Sequence, residues 1–200
     1  IYVCTLEGRL YAINSSGREI WRYECGSAPL GSPAISKDGT VYLNLVSNEI
    51  IAVSHRGFVR WRAVPGSELA GSPVIDDGEA VFVISKKLTI YNFTPWGSVE
   101  WELDIYDSSD EKTVSAVKDN VLYISFADRL TAVNSDGHIL WEKLLNHECS
   151  GLVTFSRGLL CQFDDGSTEA FDFSGNSIWI GEGNGYFTHP VAGREHIFLV

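Results

Sequence analysis

Short apolar runs separated by turn residues recur along the whole chain. The runs VYLNLV, VFVIS, VLYISF and IFLV are nearly continuous in apolar residues instead of alternating with polar ones. A strand has this composition when both faces of its sheet are covered. Asp-Gly pairs between apolar runs favour tight hairpins, because glycine tolerates positive φ. Since no long segment has helical periodicity, the pattern predicts an all-β fold.

A sequence repeat of about forty residues organises these runs. The pattern Gly-x-x-x-Trp occurs five times, with its tryptophans 40 residues apart and the last one after 38. Between one tryptophan and the next, the apolar runs and turns predict four short strands. The glycines are Gly17, Gly57, Gly97, Gly137 and Gly175. The tryptophans are Trp21, Trp61, Trp101, Trp141 and Trp179.

Four-stranded sheets stacked face to face around an axis cover both faces of their inner strands, which a two-layer sandwich does not do. The repeat therefore predicts a β-propeller of four-stranded antiparallel blades. Each repeated tryptophan is expected to dock on the next blade, where burial of its large surface contributes to adhesion. We expect high burial at Trp61, Trp101 and Trp141, whose blades have neighbours on both sides. Trp96 is off the repeat, and we expect it to be exposed.

Two segments carry a more specific pattern, GRLYAINSSGREIW from Gly8 and GSPAISKDGTVY from Gly31, and the second occurs again as GSPVIDDGEAVF from Gly71. They resemble the pyrroloquinoline-quinone-like propeller repeat, and the resemblance covers the whole chain. That superfamily includes quinoprotein alcohol dehydrogenases, the propeller lipoprotein of the outer-membrane protein assembly machine, and sensor domains attached to other modules. The resemblance implies a fold without implying one function.

The repeat pattern also predicts where the blades begin and end. Complete blades are expected at residues 32–71, 72–112, 113–150 and 151–186, with partial blades at 1–31 and 187–200. In a five-bladed ring the strand at 196–200 would duplicate the strand at 1–6. We therefore interpret the chain as an open arc of about five repeats, from a propeller that by resemblance has seven or eight blades. A start at Ile1 inside a strand pattern, in a chain without methionine, agrees with a processed chain or a fragment.

Enzymatic members of the superfamily hold the quinone with a vicinal cysteine pair, a stacked aromatic residue and calcium ligands. No two cysteines are adjacent here, and no Asp-rich loop has calcium-loop spacing. The segment Asp164-Asp165-Gly166 is typical of a strand turn instead. We therefore expect no cofactor and no catalytic residue in this chain.

The cysteines and histidines indicate no metal centre. The cysteines are Cys4, Cys25, Cys149 and Cys161. Disulfides between Cys4 and Cys25 or between Cys149 and Cys161 stay open, and buried free thiols are the commoner state of cysteines in strands. His147 lies two residues before Cys149, but a zinc site needs further ligands that the sequence does not show.

The net charge of −11 argues against nucleic acid as a partner, since phosphate binding needs a basic surface. No apolar run approaches the ~20 residues of a membrane-spanning helix. On the face that holds the crossing loops and the turns between second and third strands, acids outnumber bases thirteen to five. The acids are Glu7, Glu24, Glu49, Glu68, Asp104, Asp107, Asp110, Glu111, Asp128, Glu148, Asp164, Asp165 and Glu182, and the bases are Arg9, Lys86, Lys87, Lys112 and Arg129. Such a rim would steer partners with a basic surface, and a merely solvated loop surface is the alternative.

The segment Asp104–Lys112 (DIYDSSDEK) is the longest crossing loop and replaces the Gly-Ser-Pro of its neighbours. Repeat proteins often place specificity where one copy departs from the consensus. We predict partner contacts at Tyr106, Asp107, Asp110 and Glu111.

These observations favour a non-catalytic propeller that binds a protein partner. The resemblance implies a cell-envelope location, periplasmic or extracellular. One alternative is a part of a quinone-dependent oxidoreductase whose cofactor residues lie outside this chain. Another is a sensor domain that recognises a small ligand at the propeller mouth.

Overall fold

The computed structural model describes residues 1–106, 112–182, 190–192 and 197–199, the last two stretches as backbone only. The chain divides into two compact units, Ile1–Asp110 and Glu111–Val200. Every regular element among the described residues is a β-strand. The predicted all-β class is therefore confirmed.

The first unit contains a three-stranded sheet and two four-stranded sheets. The first sheet comprises β1 (Tyr2–Cys4), β2 (Arg9–Ile13) and β3 (Glu19–Glu24). The second comprises β4 (Ala34–Ile35), β5 (Val41–Asn44), β6 (Ile50–Val53) and β7 (Val59–Ala63). The third comprises β8 (Leu69–Ile75), β9 (Val81–Ser85), β10 (Thr89–Phe93) and β11 (Val99–Asp104).

The second unit contains two further four-stranded sheets and a two-stranded sheet. One comprises β12 (Thr113–Lys118), β13 (Val121–Phe126), β14 (Arg129–Asn134) and β15 (Ile139–Leu144). The next comprises β16 (Cys149–Phe155), β17 (Gly158–Phe163), β18 (Thr168–Phe171) and β19 (Ser177–Gly181). The last pairs β20 (Pro190–Ala192) with β21 (Ile197–Leu199).

Each sheet is an antiparallel meander in which sequence neighbours pair, as in the blade of a propeller. The second and third strands are the most buried: every residue of β5, β6, β9 and β10 is buried. The outer strands β7 and β11 instead alternate exposed and half-buried residues. This division explains the continuous apolar runs in the sequence and confirms the predicted four-stranded antiparallel blades.

The Gly-x-x-x-Trp repeat forms a joint between consecutive blades. The indole Nε1 of Trp61 donates a hydrogen bond to the carbonyl oxygen of Pro95 at 2.9 Å. Its ring stacks on Phe93 with centroids 5.8 Å apart. Two residues after Pro95, Gly97 lies so close that a Cβ there would be 2.6 Å from the indole. Gly97 also has a φ of +87°, so the position requires glycine for both its conformation and its contact.

Two other joints have the same construction. Trp21 donates to His55 O at 2.8 Å, and a Cβ on Gly57 would lie 2.9 Å from its ring. Trp141 donates to Phe173 O at 3.0 Å, and a Cβ on Gly175 would lie 3.1 Å from its ring. In every case the acceptor stands two residues before the glycine.

The expectation of high burial at Trp61, Trp101 and Trp141 is wrong, because all three are only partly buried. Each stands on an outer strand, whose residues are exposed or half-buried. Trp179 is 45% exposed, and Trp96 is 81% exposed, as predicted for the tryptophan off the repeat.

Candidate functional site

In each unit the crossing loops from outer to inner strands lie beside the turns between second and third strands. Lys86 N donates to Glu68 O at 2.7 Å and Ile105 N to Leu88 O at 3.1 Å. In the second unit, Leu145 N donates to Asp128 O at 2.7 Å. We call the surface formed by these loops and turns the upper rim of each unit.

A cleft of about 400 Å³ opens on the upper rim of the first unit. Its wall combines the crossing loop before β8, the turn between β9 and β10, and the residues that end β11 and follow it. The lining residues are Ser67, Lys87, Thr89, Asp104, Ile105 and Tyr106. The cleft therefore lies beside the loop for which the sequence predicts partner contacts.

The β9–β10 turn sets the position of Lys87 at the cleft. Leu88 adopts a left-handed conformation with φ of 61° and is fully buried. Its amide donates to Ser85 O at 3.0 Å, and Thr89 N donates to Ser85 Oγ at 3.0 Å. With Leu88 anchored in the core, Lys87 stands exposed at the tip of the turn.

The opposite wall comes from the end of β11. Asp104 pairs with Thr89 in the β10–β11 register and is exposed. Among the described residues, neither Asp104 nor Lys87 takes part in an ion pair. Tyr106 follows two residues later and is 50% exposed. The cleft thus offers one cation, one anion, a buried hydroxyl at Thr89 and an aromatic ring.

Of the predicted contact residues, the structure places Tyr106 at this cleft. Asp107, Asp110 and Glu111 lie outside the described residues.

Exposed apolar side chains also lie on this rim, and the sequence reading missed most of them. Leu6 in the β1–β2 turn is 84% exposed, Val46 in the β5–β6 turn is 61% exposed, and Val64 after β7 is 69% exposed. The sequence does mark Leu6 and Val46, because an apolar residue at the tip of a short hairpin turn departs from the polar composition of such turns.

Several acids of the upper rim are paired with its bases. Glu24 pairs with Arg9 at 3.1 Å, Asp164 with Lys112 at 3.7 Å, and Glu68 with Lys86. Glu49 pairs with Arg62 of β7 at 3.1 Å. Three of these pairs use bases that the sequence count already includes, so only Arg62 adds a positive charge to it, and the excess of acids on the rim stands. Within the described part of the chain, Glu7, Asp104, Asp128, Glu148 and Glu182 take part in no ion pair.

His147 contacts Phe163 and Asp165. Its ring lies 5.9 Å from the ring of Phe163, and its Nε2 is 3.6 Å from Asp165 Oδ2. Hydrogen bonds from Ser167 lower the pKa of Asp165. No group of three or more His, Cys, Asp or Glu residues in the described part of the chain has a metal-binding arrangement. A search of the same residues finds no helix long and apolar enough to cross a membrane.

Comparison with known proteins adds family information to this geometry. A family model described as outer membrane protein assembly factor BamB matches residues 6–112 and 86–194. A search of curated protein sequences finds no match.

Solved structures share the fold at low sequence identity. The crystal structure of BamB from Moraxella catarrhalis has a TM-score of 0.52 at 14% identity, over 96% of this chain and 87% of that chain. The structure of BBS1N in complex with ARL6DN has a TM-score of 0.73 at 11% identity, over 96% and 67% of the two chains. A Bacteroides caccae protein of unknown function has a TM-score of 0.64 at 12% identity, over 92% and 72%. At these identities the likeness shows the fold alone.

Proposed function

Because the chain belongs to the family of outer membrane protein assembly factor BamB, we propose that it is a non-catalytic propeller that binds a protein partner in a cell envelope. The binding surface is the upper rim of the first unit. The relative whose structure is titled BamB and the one solved in complex with ARL6DN support a binding role for this architecture.

The observation that carries the proposal is the set of exposed apolar side chains on the upper rim of the first unit. Leu6, Val46, Val64 and Tyr106 come from four different turns and loops, and each is at least half exposed. Exposed apolar groups rimmed by charges are typical of protein interaction sites. Aromatic anchors commonly dominate the energy of such interfaces.

The charges around the cleft suit recognition of a polar partner group beside an apolar anchor. Lys87 and Asp104 are exposed and have no ion-pair partner among the described residues. A partner with an acidic group opposite Lys87 and a basic group opposite Asp104 would bind specifically. A partner with the reverse arrangement would place like charges against each other. A small ligand is the second candidate, because a cleft of about 400 Å³ falls within the size range of ligand sites.

Site-specific photocrosslinking in the native host tests the proposal. A photoreactive amino acid at Val64 should crosslink to a discrete protein, which is then purified and titrated against the chain. Tyr106→Ala should weaken that binding about tenfold or more, as expected for an aromatic anchor. Trp96→Ala is the matched control, because Trp96 is an exposed aromatic residue on a β10–β11 turn, away from the upper rim. Equal loss of affinity in both variants would contradict the assignment of the upper rim.

A further inference from the structure

Two buried cysteines lie in contact within the last four-stranded blade. Cys149 begins β16 and is 2% exposed, while Cys161 lies in β17 and is fully buried. The register pairs Cys149 with Phe163 and Leu152 with Cys161, and it shifts between Cys149 and Gly151. The two cysteines belong to one cluster of buried side chains. Because Cys149 is paired with Phe163, two residues from Cys161, both cysteines lie on the same face of the sheet, where their thiols interact.

The two thiols differ in their surroundings. The hydrogen bond with Cys161 lowers the pKa of Cys149, with further contributions from Ser125 and two backbone groups. The same hydrogen bond, together with burial, raises the pKa of Cys161. The Cys149 thiol donates a hydrogen bond to the carbonyl oxygen of Gly151 at 3.2 Å, which by itself favours the protonated thiol. Cys149 also begins its strand, beside the crossing loop, whereas Cys161 lies inside β17. We therefore assign Cys149 as the attacking sulfur and Cys161 as the resolving sulfur.

We propose that Cys149 and Cys161 form a reversible disulfide by exchange with a low-molecular-weight disulfide. The Cys149 thiolate attacks one sulfur of the oxidant, and a mixed disulfide forms as the first thiolate leaves. Cys161 then loses its proton and attacks the Cys149 sulfur, which releases the second thiolate. Two protein thiols are oxidised to one disulfide, and the oxidant is reduced to two thiols.

Because Cys149 is 2% exposed, an oxidant reaches it only after local opening at the start of β16. The residue follows the crossing loop 145–148, and the adjacent turn holds Asp164, whose amide donates to Glu148 O at 3.3 Å. His147 of the loop forms an exposed ion pair with Asp165 of that turn at 3.6 Å, and its ring lies 5.9 Å from the ring of Phe163. Separation of these two surface segments would expose the Cys149 sulfur without unfolding the blade.

Cys4 and Cys25 provide an internal comparison. Both are unpaired thiols in the first sheet and its crossing loop. Burial, with a smaller contribution from Cys25, raises the pKa of Cys4 to about 11. Burial also raises the pKa of Cys25. Cys4 packs against Cys25 in one cluster, but the two thiols do not hydrogen-bond to each other. This pair is therefore close together and lacks a thiol with a lowered pKa.

Equilibration of the reduced full chain with oxidised glutathione, followed by alkylation and tryptic peptide mapping, tests the proposal. Trypsin cleaves after Lys143 and Arg157, so a Cys149–Cys161 disulfide joins peptide 144–157 to peptide 158–194. We expect this linked pair to form at least about tenfold more than a link between Cys4 and Cys25, because exchange requires a thiolate. Dithiothreitol should reverse it.

Cys4→Ser/Cys25→Ser is the control variant, and its intact mass should fall by about 2 Da on oxidation through loss of two hydrogens. Glutathione adducts on Cys149 without the peptide link would overturn the proposal. So would recovery of both Cys149 and Cys161 as alkylated thiols after equilibration. Because each readout uses a chain with both cysteines intact, a folding defect in Cys149→Ser or Cys161→Ser cannot obscure the result.

Discussion

The indole of Trp61 lies against the backbone of Gly97, where a Cβ would come within 2.6 Å of the ring. The tryptophan and the glycine belong to successive copies of the same sequence motif. Within the first unit, the segment from Gly57 to Trp61 therefore provides the glycine that contacts Trp21 and the tryptophan that contacts Gly97. This arrangement gives the constant spacing in the sequence a direct structural cause.

Alanine substitutions at Gly17 and Gly97 should separate the cost of a positive φ from the cost of a steric clash with a tryptophan ring. Gly17 has a φ of +77° and nothing within 4 Å of a Cβ, whereas Gly97 has the same kind of φ and the Trp61 ring in contact. Gly17→Ala should therefore cost about 1–2 kcal/mol of unfolding free energy. Gly97→Ala should cost about 1–3 kcal/mol more through overpacking. Urea denaturation measures both, and equal costs would mean that the ring contact adds nothing.

The contribution of each tryptophan to the free energy of unfolding should depend on how closely its ring is packed. Trp61→Ala removes a ring that stacks on Phe93 and bonds to Pro95, and we expect a loss of about 3 kcal/mol. Trp179→Ala, at a position 45% exposed, should cost about 1 kcal/mol or less because little packing is lost. Thermal denaturation of the two variants provides the comparison. A similar loss in both would contradict the role assigned to the joint.

Loss of one joint hydrogen bond should be detectable by itself. Trp61→Phe keeps an aromatic ring but leaves the carbonyl oxygen of Pro95 without the Nε1 donor. We expect a cost of about 1 kcal/mol or more, including the smaller ring. The variant should fall between wild type and Trp61→Ala in unfolding free energy.

Asp38 should make the stability of the second blade depend on acid pH. Hydrogen bonds from the Ser36 and Thr40 hydroxyls and the Thr40 amide lower the pKa of Asp38 well below its usual range, with a smaller contribution from Arg60. A lowered folded-state pKa stabilises the fold above the unfolded pKa of about 3.9, and this contribution is lost as pH falls through the folded value. Asp38→Ala should therefore be less stable than wild type at neutral pH, with the difference shrinking in acid. Denaturation at pH 7 and pH 3 tests this, and a constant difference would contradict it.

The crossing loop remains the site for a prediction about association rate. Neutralising Asp107, Asp110 and Glu111 together should slow binding of a basic partner at low salt, because exposed charges steer association and are screened beyond ~8 Å at physiological ionic strength. Thermal stability should hardly change, since exposed charges contribute little to the fold. Stopped-flow association at two salt concentrations, with the partner identified by crosslinking, measures the effect. If the triple variant associates at the same rate as wild type, the loop does not steer the partner and is only solvated surface.

The sequence by itself determined the all-β class, the forty-residue period and the four-stranded antiparallel blades. It did so because burial on both faces makes inner strands continuously apolar, and because glycine alone satisfies the turn at Gly57 or Gly97. It also pointed to Tyr106, since the loop there departs from the repeat.

Only the tertiary structure decided which side chains share a surface. Lys87 and Asp104 meet at one cleft because the β9–β10 turn and the end of β11 are brought together by strand pairing. The contact between Cys149 and Cys161 likewise depends on a shift in register that no spacing rule specifies. Tryptophan burial was misjudged for the same reason: the composition shows how much apolar surface a residue carries, whereas the packing of the next blade decides how much of it leaves water.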